Sequence, residues 1–286
     1  MAANAAALRG ITKQYKNFTL GPIDLSVPAG SIVGLIGENG AGKTTLLKIL
    51  CGVNRADSGT VELLGGSPAN PAARAGIGVV FEDAFFYEGF TAAQVGRSMA
   101  GVFGAQWSDE AFAAYLRRFG LDADKKLKEY SRGMRLKLSL AAALAHDPEL
   151  LVLDEATAGL DPVVRGELMD LFLEFIQDER HSIIMSSHIT ADLEQIADSI
   201  AYLHNGQLLF HENKDDLLQE YGVLHCGEDV LTSLPAGLVV FTRRGAYGCE
   251  SLVRERRTVQ ELLPEAVCDA ARLDDIMRFY SGRDAQ

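Results

Sequence analysis

The sequence predicts an α/β fold with a parallel β-sheet core. An N-terminal antiparallel β-subdomain, an inserted α-helical subdomain and a small C-terminal α+β appendage complete it. Short apolar runs at 31–36, 149–154 and 182–186 are typical of parallel strands buried on both faces. An alanine-rich helical pattern over about 91–145 interrupts these strands. We therefore predict a first domain over 1–221, with the helical subdomain at about 88–145, and a second domain over 222–286.

The elements can be placed in order along the chain. Alternating segments near the N-terminus predict antiparallel strands, and Asn205-Gly206 predicts a hairpin turn. The predicted strands are 8–15, 23–27, 31–36, 61–66, 77–81, 149–154, 182–186, 200–204 and 207–211, and the predicted helices include 46–53, 162–178, 189–197 and 214–221.

Composition limits the class of protein. The 286 residues are 48% hydrophobic, and 27 basic against 39 acidic residues give a net charge of −12. This balance argues against non-specific nucleic-acid binding, which needs a basic face. No run approaches the roughly 18 apolar residues of a membrane span. The N-terminus lacks the charged region followed by a long apolar region that a signal peptide has, so we expect a cytoplasmic protein. Four scattered cysteines without a C-x-x-C pattern indicate free thiols.

A glycine-rich loop between the strand at 31–36 and the helix after it reads G-x-x-x-x-G-K-T, a phosphate-binding loop. Its glycines let successive N–H groups point at phosphates, and the helix N-terminus adds a positive dipole end. The lysine supplies a full charge, and the threonine hydroxyl after it can ligate Mg²⁺. The predicted nucleotide-binding residues are Gly37, Glu38, Asn39, Gly40, Ala41, Gly42, Lys43, Thr44 and Thr45.

A second motif follows the apolar run Leu150–Leu153, which ends in Asp154 and Glu155. An acid at the carboxyl end of such a strand is placed to hold Mg²⁺, and the next acid is placed to accept a proton from water. The pair predicts a nucleotide-hydrolysing site.

A third motif, Tyr130-Ser131-Arg132-Gly133-Met134, resembles the signature of ATP-binding cassette (ABC) ATPases, usually L-S-G-G-Q. Residues 158–161 resemble the D-loop of that family, Ser186-Ser187-His188 resembles its switch-histidine segment, and Tyr15 stands where the family places an aromatic ring under adenine. The resemblance covers residues 8 to about 212. It implies a P-loop NTPase (RecA-like) core that binds ATP and Mg²⁺.

The resemblance also implies the roles of individual residues. Two such domains would dimerise head to tail, as homodimer or heterodimer, with each ATP between one P-loop and the partner's signature. Glu155 would act on the attacking water and His188 would contact the γ-phosphate. The residues implied to contact nucleotide besides the P-loop are Tyr15, Ser131, Gly133 and Asp161, those implied at the metal are Thr44, Glu82 and Asp154, and those implied as catalytic are Glu155, His188 and Glu82.

Within the family the chain is most similar to the ATPases of bacterial ABC-2-type exporters of bacitracin, lantibiotics and other drugs. This implies an ATPase on the inner face of the cell membrane, attached to a separate multi-span permease. The permease would dock beside Glu82 and the helical subdomain through Phe85, Phe86 and Tyr87, if those rings are exposed rather than part of the core. The alternative is a soluble ABC ATPase of translation or DNA maintenance, but one cassette without long heptads argues against it.

Two departures from the family pattern stand out. Glu82 replaces the usual glutamine and adds negative charge near the γ-phosphate. Arg132 replaces the first glycine of the signature, where it either adds a cation near the phosphates or faces solvent. The sequence does not name the transported substrate.

Overall fold

The computed structural model describes residues 4–82, 86–235, 237–245 and 248–281. The chain divides into two compact units. The first unit is Met1–His188 with Ala201–Leu209, and the second is Ile189–Ile200 with Phe210–Gln286. Each is described by itself below.

The first unit is built on a sheet with the strand order β5-β6-β7-β3-β8-β9, to which β8 and β9 contribute the hairpin Ala201–Leu209. Strands β5, β6, β7 and β3 pair in parallel. Every residue of β3, β6 and β7 is buried, which confirms the reading of these apolar runs. The strands are β3 (Ile32–Ile36), β5 (Ile77–Val80), β6 (Leu150–Asp154), β7 (Ser182–Ser186), β8 (Ser199–His204) and β9 (Gln207–Asn213).

A three-stranded antiparallel sheet of order β2-β1-β4 forms the predicted N-terminal β-subdomain. The turn between β1 and β2 places Tyr15 opposite Phe18. Both strands contribute buried residues to the same core as the P-loop helix α1, so this subdomain holds the turn beside the P-loop. The elements are β1 (Asn4–Tyr15), β2 (Phe18–Pro28), β4 (Ser58–Leu63), α1 (Lys43–Leu50) and the short helix α2 (Pro71–Ala75).

The helical subdomain has its own apolar core, which includes Phe112, Leu116 and Leu138. Its helices begin at side-chain caps, as their sequences favour. Thr91 and Gln94 form a capping box, and Ser131 caps α5 by accepting a hydrogen bond from the Met134 N–H. The helices are α3 (Ala92–Phe103), α4 (Asp109–Arg118) and α5 (Arg132–Leu144), and α6 (Pro162–Phe175) follows β6 in the first unit.

The second unit contains an antiparallel sheet of order β11-β12-β10-β13 over a small core that includes Leu224, Val253 and Val259. Helix α7 belongs to this unit because it packs against α11. The predicted boundary at residue 221 therefore falls inside this unit, and a separate accessory domain at 222–286 stays a prediction. The elements are α7 (Thr190–Ile196), α8 (Lys214–Glu220), β10 (Gly222–Cys226), α9 (Glu228–Leu231), β11 (Val239–Gly245), β12 (Gly248–Val253), α10 (Arg256–Leu262), β13 (Val267–Ala270) and α11 (Leu273–Ser281).

In the part of the chain that the structure describes, no helix combines the length and the apolarity needed to cross a membrane.

Candidate active site

The P-loop connects the end of β3 to the start of α1. Gly40 has φ 84° and Gly42, the N-cap of α1, has φ 108°, a left-handed backbone that favours glycine. A Cβ on Gly42 would lie 2.9 Å from the Phe18 ring and 2.9 Å from Leu20. A Cβ on Gly37 would lie 2.3 Å from the Leu203 carbonyl oxygen. Both the backbone angles and the close packing therefore require glycine in this loop.

Lys43 is the first residue of α1, and its side chain is 6% exposed. Its ammonium donates to the Gly37 carbonyl at 2.7 Å and to the Glu38 carbonyl at 3.3 Å. It also lies 3.2 Å from Oε1 of Glu155. The lysine is thus held inside the curl of the loop, where its charge faces the position that a phosphate chain would occupy.

Glu155 follows β6 and has φ 52°. Its Oε2 accepts hydrogen bonds from His188, at 3.2 Å from the backbone N–H and 2.6 Å from Nδ1. Its Oε1 is buried and receives no hydrogen bond, although the Lys43 ammonium is close. A carboxylate fixed on one oxygen by histidine, with the other next to a lysine, is oriented as a general base for water.

Asp154 is 2% exposed at the end of β6. The Ser186 hydroxyl donates to its Oδ1 at 2.6 Å, and the Glu155 backbone N–H donates to the same hydroxyl at 3.1 Å. Ser186 at the end of β7 therefore fixes the carboxylate of Asp154 and the backbone of Glu155. Parallel pairing explains the proximity, because the register places Asp154 opposite Ser186.

These residues border an open cavity of about 460 Å³. A phosphate-binding loop forms one wall and two aromatic rings form another, which suits a nucleotide with a polyphosphate and a base. The cavity is lined by Tyr15, Phe18, Glu38, Asn39, Gly40, Gly42, Lys43, Thr44, Thr45, Lys48, Asn54, Glu82 and Glu155.

Tyr15 lines this cavity with its side chain partly in solvent, at 42% exposure. Its ring centroid lies 6.4 Å from that of Phe18, with the planes tilted by 33°. An exposed ring at the mouth of a phosphate site is available to stack on a base.

The signature residues lie elsewhere in the first unit. Among the described residues, Ser131, Gly133 and Asp161 do not line the cavity that holds Lys43. Ser131 caps α5, and Asp161 caps α6 by accepting from the N–H groups of Val163 and Val164 at 3.1 Å. Ser131 and Asp161 thus stand at helix N-termini, which favour anions.

Glu82 lies at the rim of the cavity and pairs with Arg132 across 2.9 Å. Phe85 lies outside the described residues. Phe86 is half-buried against the core of the helical subdomain, whereas Tyr87 is 73% exposed. Of the two described rings, Tyr87 therefore meets the condition of exposure that its predicted docking role requires.

Sequence reasoning missed three residues of the cavity, Phe18, Lys48 and Asn54. A signal existed for Phe18, an aromatic residue three positions after Tyr15 at a hairpin turn. Lys48 follows Lys43 by about one and a half turns of α1, and the sequence carries no signal for Asn54.

In residues 4–82, 86–235, 237–245 and 248–281, no cluster of three or more His, Cys, Asp or Glu side chains forms a metal site by itself.

Comparison with known proteins identifies the relatives of this chain. A family described as ABC transporter matches residues 20–158. The chain is 38% identical over 206 residues to an uncharacterized ABC transporter ATP-binding protein of Synechocystis, covering 70% of this chain and 58% of that protein. It is 35% identical to the bacitracin transport ATP-binding protein of Enterococcus faecalis, covering 72% and 68% of the two chains. It is 33% identical to a lantibiotic transport ATP-binding protein of Streptococcus pyogenes, covering 73% and 90%.

Solved structures give the same fold. An ATP-binding subunit of an ABC transporter superposes with a TM-score of 0.68 at 27% identity, over 74% of this chain and 91% of that one. A dimeric ATP-binding cassette bound to ADP and phosphate superposes with a TM-score of 0.66 at 22% identity, over 73% and 98%. These neighbours confirm the predicted P-loop NTPase fold.

Proposed function

This chain belongs to the ABC transporter family, and from that premise we propose that it is the ATP-hydrolysing subunit that powers a membrane exporter. The observation that carries the proposal is the chain of contacts from Lys43 through Glu155 to His188 beside the nucleotide-sized cavity. A site that only binds phosphate would need Lys43 but neither Glu155 nor His188. The presence of an oriented base and its histidine indicates hydrolysis.

In the proposed mechanism, the P-loop N–H groups and the Lys43 ammonium bind the β- and γ-phosphates, while Tyr15 stacks on adenine. Glu155 accepts a proton from the attacking water as the water oxygen bonds to the γ-phosphorus. The bond between the γ-phosphorus and the bridging oxygen breaks, and ADP leaves with that oxygen. His188 keeps the Glu155 carboxylate in line through its bond to Oε2.

The residues present fit Mg²⁺, a hard cation that prefers oxygen ligands and shares phosphate oxygens. Asp154 offers a buried carboxylate oriented by Ser186, and Thr44 and Glu82 carry oxygen atoms and line the cavity. We propose that Thr44, Asp154 and Glu82 hold the ion, which would neutralise charge on the β- and γ-phosphates.

Ser131, Gly133 and Asp161 support the proposal of a head-to-tail dimer. They lie at or beside helix N-termini, outside the cavity of their own chain, and Ser131 is exposed. A second cassette would bring its own bound ATP to these N–H groups. Binding of ATP would then favour the closed dimer, and loss of the γ-phosphate would open it.

A membrane partner has a candidate docking place in the first unit. An apolar groove of about 450 Å³ lies between the sheet and the helical subdomain, and it is lined in part by Phe81, Phe86, Met99 and Phe103. Tyr87 is exposed nearby in sequence. Aromatic side chains that line an apolar groove are typical anchors of a protein interface. We propose that a cytoplasmic segment of a permease docks here, which places the chain on the inner face of the membrane.

The relatives named for bacitracin and lantibiotic transport support an exporter. A soluble ABC ATPase of translation or DNA maintenance is the second candidate, but no observation on the residues that the structure describes favours it.

The test uses Glu155→Gln, which should keep ATP bound because the water-activating carboxylate is gone. The variant is purified with ATP from mild-detergent extracts of the source cells, and co-purifying proteins are identified by mass spectrometry. Lys43→Ala, which should not bind ATP, is the matched control. A multi-span membrane protein enriched with Glu155→Gln over Lys43→Ala supports the proposal. Recovery of ribosomes, nucleic acid or only soluble proteins would overturn it.

A further inference from the structure

The ion pair between Glu82 and Arg132 joins two segments that are far apart in sequence. Nη2 of Arg132 donates to Oε1 of Glu82 at 2.9 Å. Both side chains are about half exposed, and exposed ion pairs contribute little to stability. Arg132 is also the first residue of α5, where a positive charge opposes the helix dipole. Neither helix stability nor folding explains an arginine at this position.

The charges around the nucleotide cavity give a different reason. Glu38, Glu82 and Glu155 all line the cavity, whereas Lys43 and Lys48 are its basic lining residues in the described part of the chain. Lys43 already lies against Glu155. A triphosphate entering this cavity would therefore meet the negative charge of the Glu82 carboxylate at the rim, and like charges repel.

The guanidinium of Arg132 has a second neighbour, Gly159, in the loop before α6. A Cβ built on Gly159 would lie 3.4 Å from Nη1 of Arg132, and φ at this glycine is 71°. The guanidinium is thus placed between the loop that carries Glu82 and the loop that ends at Asp161. Gly159 has no side chain, so it leaves room for the guanidinium beside this loop.

We propose that Arg132 is a positioning residue that holds and neutralises Glu82 at the rim of the cavity, which allows this chain to bind a triphosphate with a glutamate there. The inference rests on the proposed ATPase function. It accounts for Glu82 and Arg132, two departures from the family pattern, as one compensating pair, since each charge offsets the other.

The experiment measures binding of a fluorescent ATP analogue with and without Mg²⁺, and the Mg²⁺ dependence of ATP hydrolysis. The variants are Arg132→Gln, Glu82→Gln, the double variant and Arg132→Lys. Arg132→Gln should weaken binding by about 10-fold because it leaves Glu82 unneutralised. The double variant should bind within about twofold of wild type because Glu82→Gln removes the carboxylate charge. Arg132→Lys should bind within about threefold because lysine keeps a positive charge beside Glu82.

A second ion pair provides the matched control. Arg135 on the same helix pairs with Glu88 at 2.7 Å, and neither residue lines the cavity. Arg135→Gln removes the same kind of link and should change nucleotide binding by less than about twofold. Urea unfolding of each variant checks that the fold is intact.

Equal losses of affinity for the ATP analogue in Arg132→Gln and Arg135→Gln would show that both ion pairs only hold a neighbouring segment against α5. That result would overturn the inference. The inference would also be overturned if the double variant lost as much affinity as the two single variants, Arg132→Gln and Glu82→Gln, lose together. If the wild-type chain does not bind the analogue, the proposed ATPase function fails and the inference fails with it. Wild-type binding with unchanged affinity in Arg132→Gln would reject the inference alone.

Discussion

The ammonium of Lys43 lies 3.2 Å from Oε1 of Glu155, with both side chains almost fully buried. The group that would bind phosphate and the group that would activate water therefore neutralise each other in the same enclosed place. Truncation of one partner leaves an uncompensated buried charge. A polyphosphate entering the cavity would compete for Lys43 and leave Glu155 to act on water.

This relationship predicts that substitutions of Glu155 and Lys43 differ in their effect on ATP binding. Glu155→Gln keeps the shape of the side chain but removes its basicity, so ATP hydrolysis should fall by about 10²–10⁴-fold while ATP binding is retained. Lys43→Ala should lose ATP binding itself. Hydrolysis is measured by phosphate release, and binding by a fluorescent ATP analogue. Substantial hydrolysis by Glu155→Gln would show that another group activates water.

Substitution of His188 tests whether this residue orients the base. Nδ1 of His188 lies 2.6 Å from Oε2 of Glu155, so His188→Ala leaves the carboxylate free to rotate. We expect kcat to fall by about 10–100-fold with little change in ATP affinity, because a misplaced base costs rate more than binding. A parallel loss of affinity would instead indicate that His188 contributes mainly to binding phosphate. Isothermal titration with ATP and single-turnover hydrolysis separate the two cases.

Sequence alone predicts the motifs of this site but not its tertiary pairings. The P-loop and the acids after β6 are local patterns, so Lys43 and Glu155 are found without a structure. Their ion pair depends on the order of strands in the sheet, which places the ends of β3 and β6 on either side of β7. Phe18 enters the cavity wall through a hairpin turn. The assignment of α7 to the second unit follows from packing against α11. Leu273, Ile276 and Phe279 give α11 one apolar face, but the sequence does not say which element that face packs against.

Substitution of a P-loop glycine should lower the free energy of unfolding. Gly42→Ala would place a Cβ 2.9 Å from Phe18 and Leu20 at φ 108°, so we expect the free energy of unfolding to fall by about 1–3 kcal/mol. Gly101→Ala is the matched control, because this glycine lies inside α3 with no atom within 4 Å of an added Cβ. It should gain about 0.5–1 kcal/mol from helix propensity. Urea unfolding curves of both variants check the difference, and equal effects would contradict it.

Tyr15 should contribute to ATP affinity but not to stability. Its side chain is 42% exposed, so truncation removes little buried surface. Loss of a stacking ring costs about 1–3 kcal/mol per base, so Tyr15→Ala should weaken ATP binding by about tenfold, whereas Tyr15→Trp should retain it. Tyr87→Ala is a control, because this exposed ring is outside the cavity. If Tyr15→Ala binds ATP as wild type does, adenine is held by other groups.

The thiol of Cys51 predicts a pH dependence of stability. Burial and, secondarily, the negative charge of Asp154 raise the pKa of this thiol from 9.0 to about 12. The unfolded chain ionises Cys51 first, so the stabilising contribution of the neutral thiol is fully present below pH 9 and is lost as pH rises from 9 to about 12. Cys51→Ala should therefore show a shallower fall in the free energy of unfolding over this window, measured by urea unfolding at several pH values. Because the buried thiol stays neutral near pH 8 and only the thiolate is a good nucleophile, iodoacetamide at that pH should alkylate Cys51 only after unfolding. Rapid alkylation of Cys51 in the folded chain, located by peptide mass mapping, would show that the site opens to solvent and that burial does not keep this thiol neutral.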